Sequence, residues 1–166
     1  MSSPFYPRSV GADTEAMQLK IDLHSTGFEP LVVLEHWQQE QAQSGIAASA
    51  AEAQFIGRVR GITTDGRALE ALELEHYPGM TEQQLERLAQ ECCNRHGVSR
   101  CLVQHRIGRV LPGEAIVLVA IGADRRGPAQ RCCQELLEAL KHHAPFWKRE
   151  WRTDGSSEWL SGNTPL

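Results

Sequence analysis

Two lysines, Lys141 and Lys148, bracket His142, His143, Ala144, Pro145, Phe146 and Trp147, with Arg149 and Glu150 directly after them. A chain that reverses at Pro145 brings both amines to one mouth. There each cation disfavours protonation of the other, and partial burial adds to the effect. A lysine whose pKa is lowered in this way serves as a base or a nucleophile. The plainer alternative leaves both lysines on a solvated surface, the usual fate of this residue type.

Two arginine-bearing turns offer anion chemistry. One runs from Gly57 through Arg58 and Arg60 to Gly61, and the other from Gly122 through Asp124, Arg125 and Arg126 to Gly127, just ahead of a helical pattern. Backbone N–H groups at a helix start, together with a guanidinium, hold phosphate or carboxylate. The second turn lacks the Lys-Ser or Lys-Thr of a nucleotide-binding loop, so by itself it is a weak signal. His105 and Arg106, at the end of a strand pattern, read as polar anchors or as contributors to a site.

Metal ligation is not expected. His142 and His143 are adjacent, so on a helix they do not share a face, and no Cys-x-x-Cys spacing is present. The five cysteines, Cys92, Cys93, Cys101, Cys132 and Cys133, are odd in number and read as buried small hydrophobes of a protein in a reducing cytoplasm. Trp147, Trp151 and Trp159 most simply fill a core or an interface.

The net charge of −4 argues against a general nucleic-acid binder, which needs an excess of Lys and Arg. Its distribution is uneven: Asp124 to Arg152 hold seven Lys or Arg against four Asp or Glu, a local +3 that leaves −7 elsewhere. A basic site in an acidic chain suits a small anionic ligand. No stretch approaches the roughly 20 apolar residues of a membrane span. The 166 residues, 41% hydrophobic, suffice for one domain with a real core.

The elements that must position these groups follow from periodicity. Alternation over Met17 to Leu23 predicts a strand, and Leu31, Leu34 and Trp37 after Pro30 predict a helix running to Gly45. Residues 47–53 extend that helix or form a loop. A strand over Gln54 to Arg60, a turn at Asp65 and Gly66, and a strand over Leu69 to Tyr77 read as an antiparallel hairpin. Thr81 and Gln84 suggest a capping box before the stripe Leu85, Leu88, Ala89 and Cys92, which Gly97 ends. Strands are expected over Val98 to His105 and Ala115 to Gly122, the latter buried on both faces. Pro128 opens a third helix with Ala129, Cys132, Cys133, Leu136, Leu137 and Leu140 inside, followed by strands at Phe146 to Arg152 and Trp159. Three helices among runs of strands imply an α+β domain over residues 17–160, with tails at 1–16 and 161–166.

Four segments in order, Phe55 to Arg60, Leu74 to Met80, His105 to Gly108 and Leu140 to Glu150, resemble the large subunit of molybdopterin synthase. The likeness covers Met17 to Leu160. It implies an α/β hammerhead fold with a mixed, largely antiparallel sheet, and a homodimer that forms a heterotetramer with a small ubiquitin-like sulfur carrier. The implied activity is sulfur transfer from the carrier's C-terminal thiocarboxylate to cyclic pyranopterin monophosphate, building a dithiolene in two steps without a resident cofactor. Lys141 and Lys148 match the family's pocket lysines, with Lys141 as proton-transfer group or transient acyl acceptor and Lys148 as electrostatic stabiliser. Arg60 and Arg125 match its basic substrate-pocket residues, and Asp124, His105 and Arg106 complete the expected binding set.

Asp124 departs from the family, which usually has His there, and the residues after Arg125 differ too. A carboxylate beside a phosphate costs about 1 kcal/mol at an effective dielectric of about 20, so Asp124 is expected to turn away and cap the third helix. The rival reading is a module that docks the carrier but has lost or altered turnover. A generic small-anion-binding oligomer is the third.

Overall fold

Alternating apolar side chains set the first strand, β1 (Gln18–His24), in the computed structural model, which describes residues 17–45 and 47–161. The segment 1–16 and the end of the expected C-terminal tail, 162–166, lie outside the described residues. The chain continues through α1 (Pro30–Gln43), β2 (Ala51–Arg58), β3 (Leu69–Glu75) and α2 (Met80–His96), then β4 (Arg100–Arg106), β5 (Gly108–Val110) and β6 (Ala115–Ala123). It closes with α3 (Arg126–His143), β7 (Trp147–Arg152) and β8 (Ser157–Trp159). The expected α+β class holds, with three helices and two four-stranded sheets among the described residues.

The first sheet has the order β1-β4-β6-β2 and is mixed: β1 runs parallel to β4, whereas β4–β6 and β6–β2 are antiparallel. Both faces are covered. Cys101, Val103, Val117, Val119 and Ile121 point to α2 and α3, while Leu102, Leu118 and Ala120 pack on Leu34 and Trp37 of α1. This explains the continuous apolar run in β6, since each successive side chain meets a different helical layer. The second sheet, β5-β3-β7-β8, is antiparallel throughout, and its inner face holds Leu69, Leu74 and Val110 with Val59.

Several expectations need correction. β2 and β3 are not a hairpin: β2 pairs with β6 and β3 with β5 and β7, and the connection between them carries a single bridge, Ile62 to Ala68. Residues 51–53 belong to β2 rather than to a helix or loop, because the ladder to β6 extends to Ala51 opposite Ala123. Leu31 is 72% exposed, since the buried face of α1 is Pro30, Leu34, Trp37 and Gln41. The box at the start of α2 is made by Glu82, whose Oε2 accepts from the Gly79 N–H at 2.7 Å. Thr81 instead uses its hydroxyl to accept from the Tyr77 N–H at 3.1 Å.

Candidate active site

The reversal between α3 and β7 is built locally. Ala144 leaves helical geometry (φ −71°, ψ 132°), as a residue before proline tends to. Its N–H still donates to Leu140 O at 3.3 Å, and the Phe146 N–H donates to Ala144 O at 2.9 Å, so the chain turns tightly. Lys141 leaves from the last turn of α3 and Lys148 from the second residue of β7. The two lysines converge electrostatically: burial first, and then the Lys141 charge, hold the Lys148 pKa below the ordinary lysine value.

Lys148 faces inward. It stands opposite Leu74 in the β3–β7 register, and Leu74 is fully buried. Glu150 and Arg152 follow on the same side of β7 and are also buried. Trp147 and Trp151 point to the other side, where Tyr77 meets Trp147 edge-on at 5.0 Å between ring centroids. Glu75, His76, Tyr77, Trp147 and Trp159 line a shallow groove there, with both tryptophans and Tyr77 well exposed.

His105 joins the lysines from β4. Its ring stacks on Phe146 with centroids 4.3 Å apart and planes at 10°, and its Nδ1 lies 2.8 Å from the Arg106 carbonyl oxygen. Burial pulls its pKa down to about 4; the carbonyl contact opposes this and the nearby Lys148 charge reinforces it. The ring is therefore neutral at pH 7, with Nδ1–H donating to the carbonyl and Nε2 left as an acceptor.

The remaining expected residues are distributed more widely. Arg106 is 3% exposed and committed to the fold, through Glu114 at 3.2 Å and the Arg109 carbonyl at 2.9 Å. Arg60 is exposed and follows Val59, which shares a core cluster with Leu74 and Phe146, so it stands at the rim of the same region. Arg125 is the N-cap residue of α3 and Lys141 lies in its last turn. Sixteen helical steps separate them, about 24 Å at 1.5 Å per residue. Within one chain these two do not share a cavity. Asp124 does not cap α3, because the cap position falls one residue later and no side-chain cap bond forms; its carboxylate is left at the exposed surface.

Two contributors went unrecognised as such in the sequence. Phe146 packs against both the α2–α3 core and the second-sheet core, and carries the His105 ring. Glu150 holds the 62–67 loop: its carboxylate accepts from the Thr64 N–H at 3.0 and 3.1 Å and from the Thr64 hydroxyl at 3.0 Å. Alternation along β7 from Lys148 was the available signal for Glu150.

A family described as MoaE protein matches residues 29–143. The chain belongs to the MoaE family. Among MoaE relatives, the molybdopterin synthase catalytic subunit of Ralstonia nicotianae is 41% identical over 114 residues, covering 69% of this chain and 64% of that protein. The catalytic subunit from Escherichia coli is 40% identical over 131 residues, 78% of this chain and 83% of its own length. A solved MoaE protein from Burkholderia ambifaria superposes with a TM-score of 0.67 at 35% identity, covering 90% of this chain and 92% of that one. The matched MoaE segment contains β4, α3 and Lys141, and it stops five residues short of Lys148.

Proposed function

We propose that this chain is the catalytic subunit of a molybdopterin synthase, transferring sulfur from the C-terminal thiocarboxylate of a small ubiquitin-like carrier to cyclic pyranopterin monophosphate. The observation that carries this reading is the convergence of Lys141, Lys148 and a neutral His105 around one reversal of the chain. Sulfur transfer passes negative charge between a thiocarboxylate and a phosphate-bearing acceptor, and a pair of amines stabilises such charge as it moves. Lys148, with its lowered pKa, exchanges a proton at lower pH than an ordinary lysine, and Lys141 engages the thiocarboxylate as proton-transfer group or transient acyl acceptor. The chemistry uses no resident cofactor, because the carrier brings the sulfur.

Partners follow from the same reading. A solved relative from Helicobacter pylori, 22% identical, is a complex of subunits 1 and 2 of molybdopterin-converting factor. The exposed aromatic groove beside β7 supplies apolar surface suited to a protein partner. We assign the assembly as a homodimer carrying two carrier subunits. The five free cysteines fit a reducing cytoplasm, and no described helix is long and apolar enough to cross a membrane.

Reconstitution tests the proposal: the purified chain is mixed with thiocarboxylated carrier and the pyranopterin, and dithiolene product is measured. Turnover is expected. Carrier binding without product would favour the docking module instead. Lys141→Ala is expected to abolish turnover while circular dichroism and sedimentation leave the fold and assembly unchanged, and full activity in that variant would remove the assigned role.

A further inference from the structure

α2 and α3 pack side by side against the first sheet, and three side chains of different chemistry meet where they touch. Cys92 and His96 stand four residues apart on α2, hence on one face of the helix, and Glu135 reaches them from α3. Cys92 Sγ, a ring nitrogen of His96 and a carboxylate oxygen of Glu135 all lie within 4.8 Å of one another. Cys132 Sγ, also from α3, is 3.8 Å from Cys92 Sγ but is not one of this set of three donors.

We propose that Cys92, His96 and Glu135, with water in the fourth position, form a zinc site that staples α2 to α3. The donor set is one that zinc favours, thiolate and imidazole with a carboxylate. Glu135 is already oriented by its neighbours. Its Oε2 lies 2.6 Å from His96 Nε2, and its Oε1 is paired with the Arg95 guanidinium. Seating a metal between Nε2 and Oε2 requires that gap to widen to about 3.3 Å for bonds near 2.0 Å. Arg95 retains the other oxygen, the kind of outer contact that fixes a ligating carboxylate.

Access and depth also fit. The sulfur is buried, with Cys92 3% exposed, whereas the His96 and Glu135 side chains are 14% and 35% exposed, which leaves an approach from solvent. The contact with Cys132, and burial after it, hold the Cys92 thiol above the usual thiol range. The sulfur is therefore inert as a free nucleophile and is deprotonated when a metal displaces its proton. Glu135 precedes Lys141 by six residues, about 9 Å along α3, so an occupied site would hold the helix from which Lys141 leaves.

The test uses the full chain, kept reduced, stripped with a chelator and titrated with zinc against a chromophoric competitor, then with cobalt(II). One zinc per chain is expected, and the cobalt form should show a thiolate-to-metal charge-transfer band with the intense visible bands of a tetrahedral ion. Cys92→Ser should lose the charge-transfer band, and His96→Gln or Glu135→Gln should weaken binding by about tenfold or more. His96→Gln tests the same site at a partly exposed position should Cys92→Ser fail to fold. His142→Ala, at the exposed histidine pair, should bind as the parent does. Failure of the reduced chain to bind zinc stoichiometrically would overturn the site, as would a band that survives Cys92→Ser or binding that depends on His142 rather than His96.

Discussion

At the scale of single residues, the site is a problem of charge in a confined space. Lys148 sits below the ordinary lysine pKa for two reasons, and Lys141 supplies one of them. Removing that cation without adding bulk, as in Lys141→Gln, should raise the Lys148 pKa, an upward move readable by NMR titration of the labelled side chain. No movement would mean that the two amines are not coupled. His105 gives a second pH signature. Its folded pKa of about 4 lies below the ordinary value of 6.5, so between these limits the unfolded chain binds more protons than the folded one. Stability from this group is present in full above pH 6.5 and falls as the pH is lowered toward 4, by on the order of 2–3 kcal/mol. His105→Phe keeps a ring against Phe146 but cannot titrate, so urea unfolding across that window should show a flatter pH dependence in the variant. An unchanged slope would assign the acid sensitivity to other groups.

At the scale of elements, β7 does two tasks on its inner face: Lys148 enters the site, and two residues later Glu150 ties down the loop that follows Arg60. Glu150→Ala leaves the Thr64 N–H without its carboxylate partner and should cost about 2–3 kcal/mol in urea unfolding, with faster amide exchange in residues 62–67. Protection in that loop equal to the parent's would remove the tether. Periodicity made β1, α2, β4, β6, α3 and β7 legible, because each buries a regular stripe or an alternating face. Sheet partnership was not legible: β2 and β3 flank a turn and look like a hairpin, yet β2 is claimed by the long ladder to β6 and a register shift at Gly57/Arg58 sends the chain to the other sheet. The three-residue β5 was too short to carry a period of its own. The lysine pair could be read because Pro145 forces a local reversal. The thiol–imidazole–carboxylate cluster could not, since Cys92 and Glu135 are brought together only by the packing of α2 on α3.

At the scale of the whole molecule, the length of α3 decides how the site is completed. Arg125, in the role of phosphate ligand, and Lys141, in the role of reacting amine, lie about 24 Å apart along one helix, too far to contact one pterin monophosphate. If both act on the same substrate in a homodimer, Arg125 must come from the second copy. Its position suits the task, since Arg125 and Arg126 open the helix, no acidic residue occupies the first turn, and the helix N-terminus adds its own attraction for an anion. Two-fold symmetry then makes complementation quantitative. Lys141→Ala and Arg125→Ala homodimers should each be inactive. In a mixed dimer one site receives both defects, and the other receives an intact Lys141 from one chain with an intact Arg125 from its partner. Co-expression in equal amounts yields mixed dimers in about half of the assemblies, so about a quarter of parental activity should return. Tagging the two chains differently and purifying the doubly tagged species should raise that to about half. If the doubly tagged species is as inactive as its parents, Arg125 does not serve a site shared between copies, and phosphate binding must rest on groups nearer Lys141, with Arg60 at the rim the first to replace.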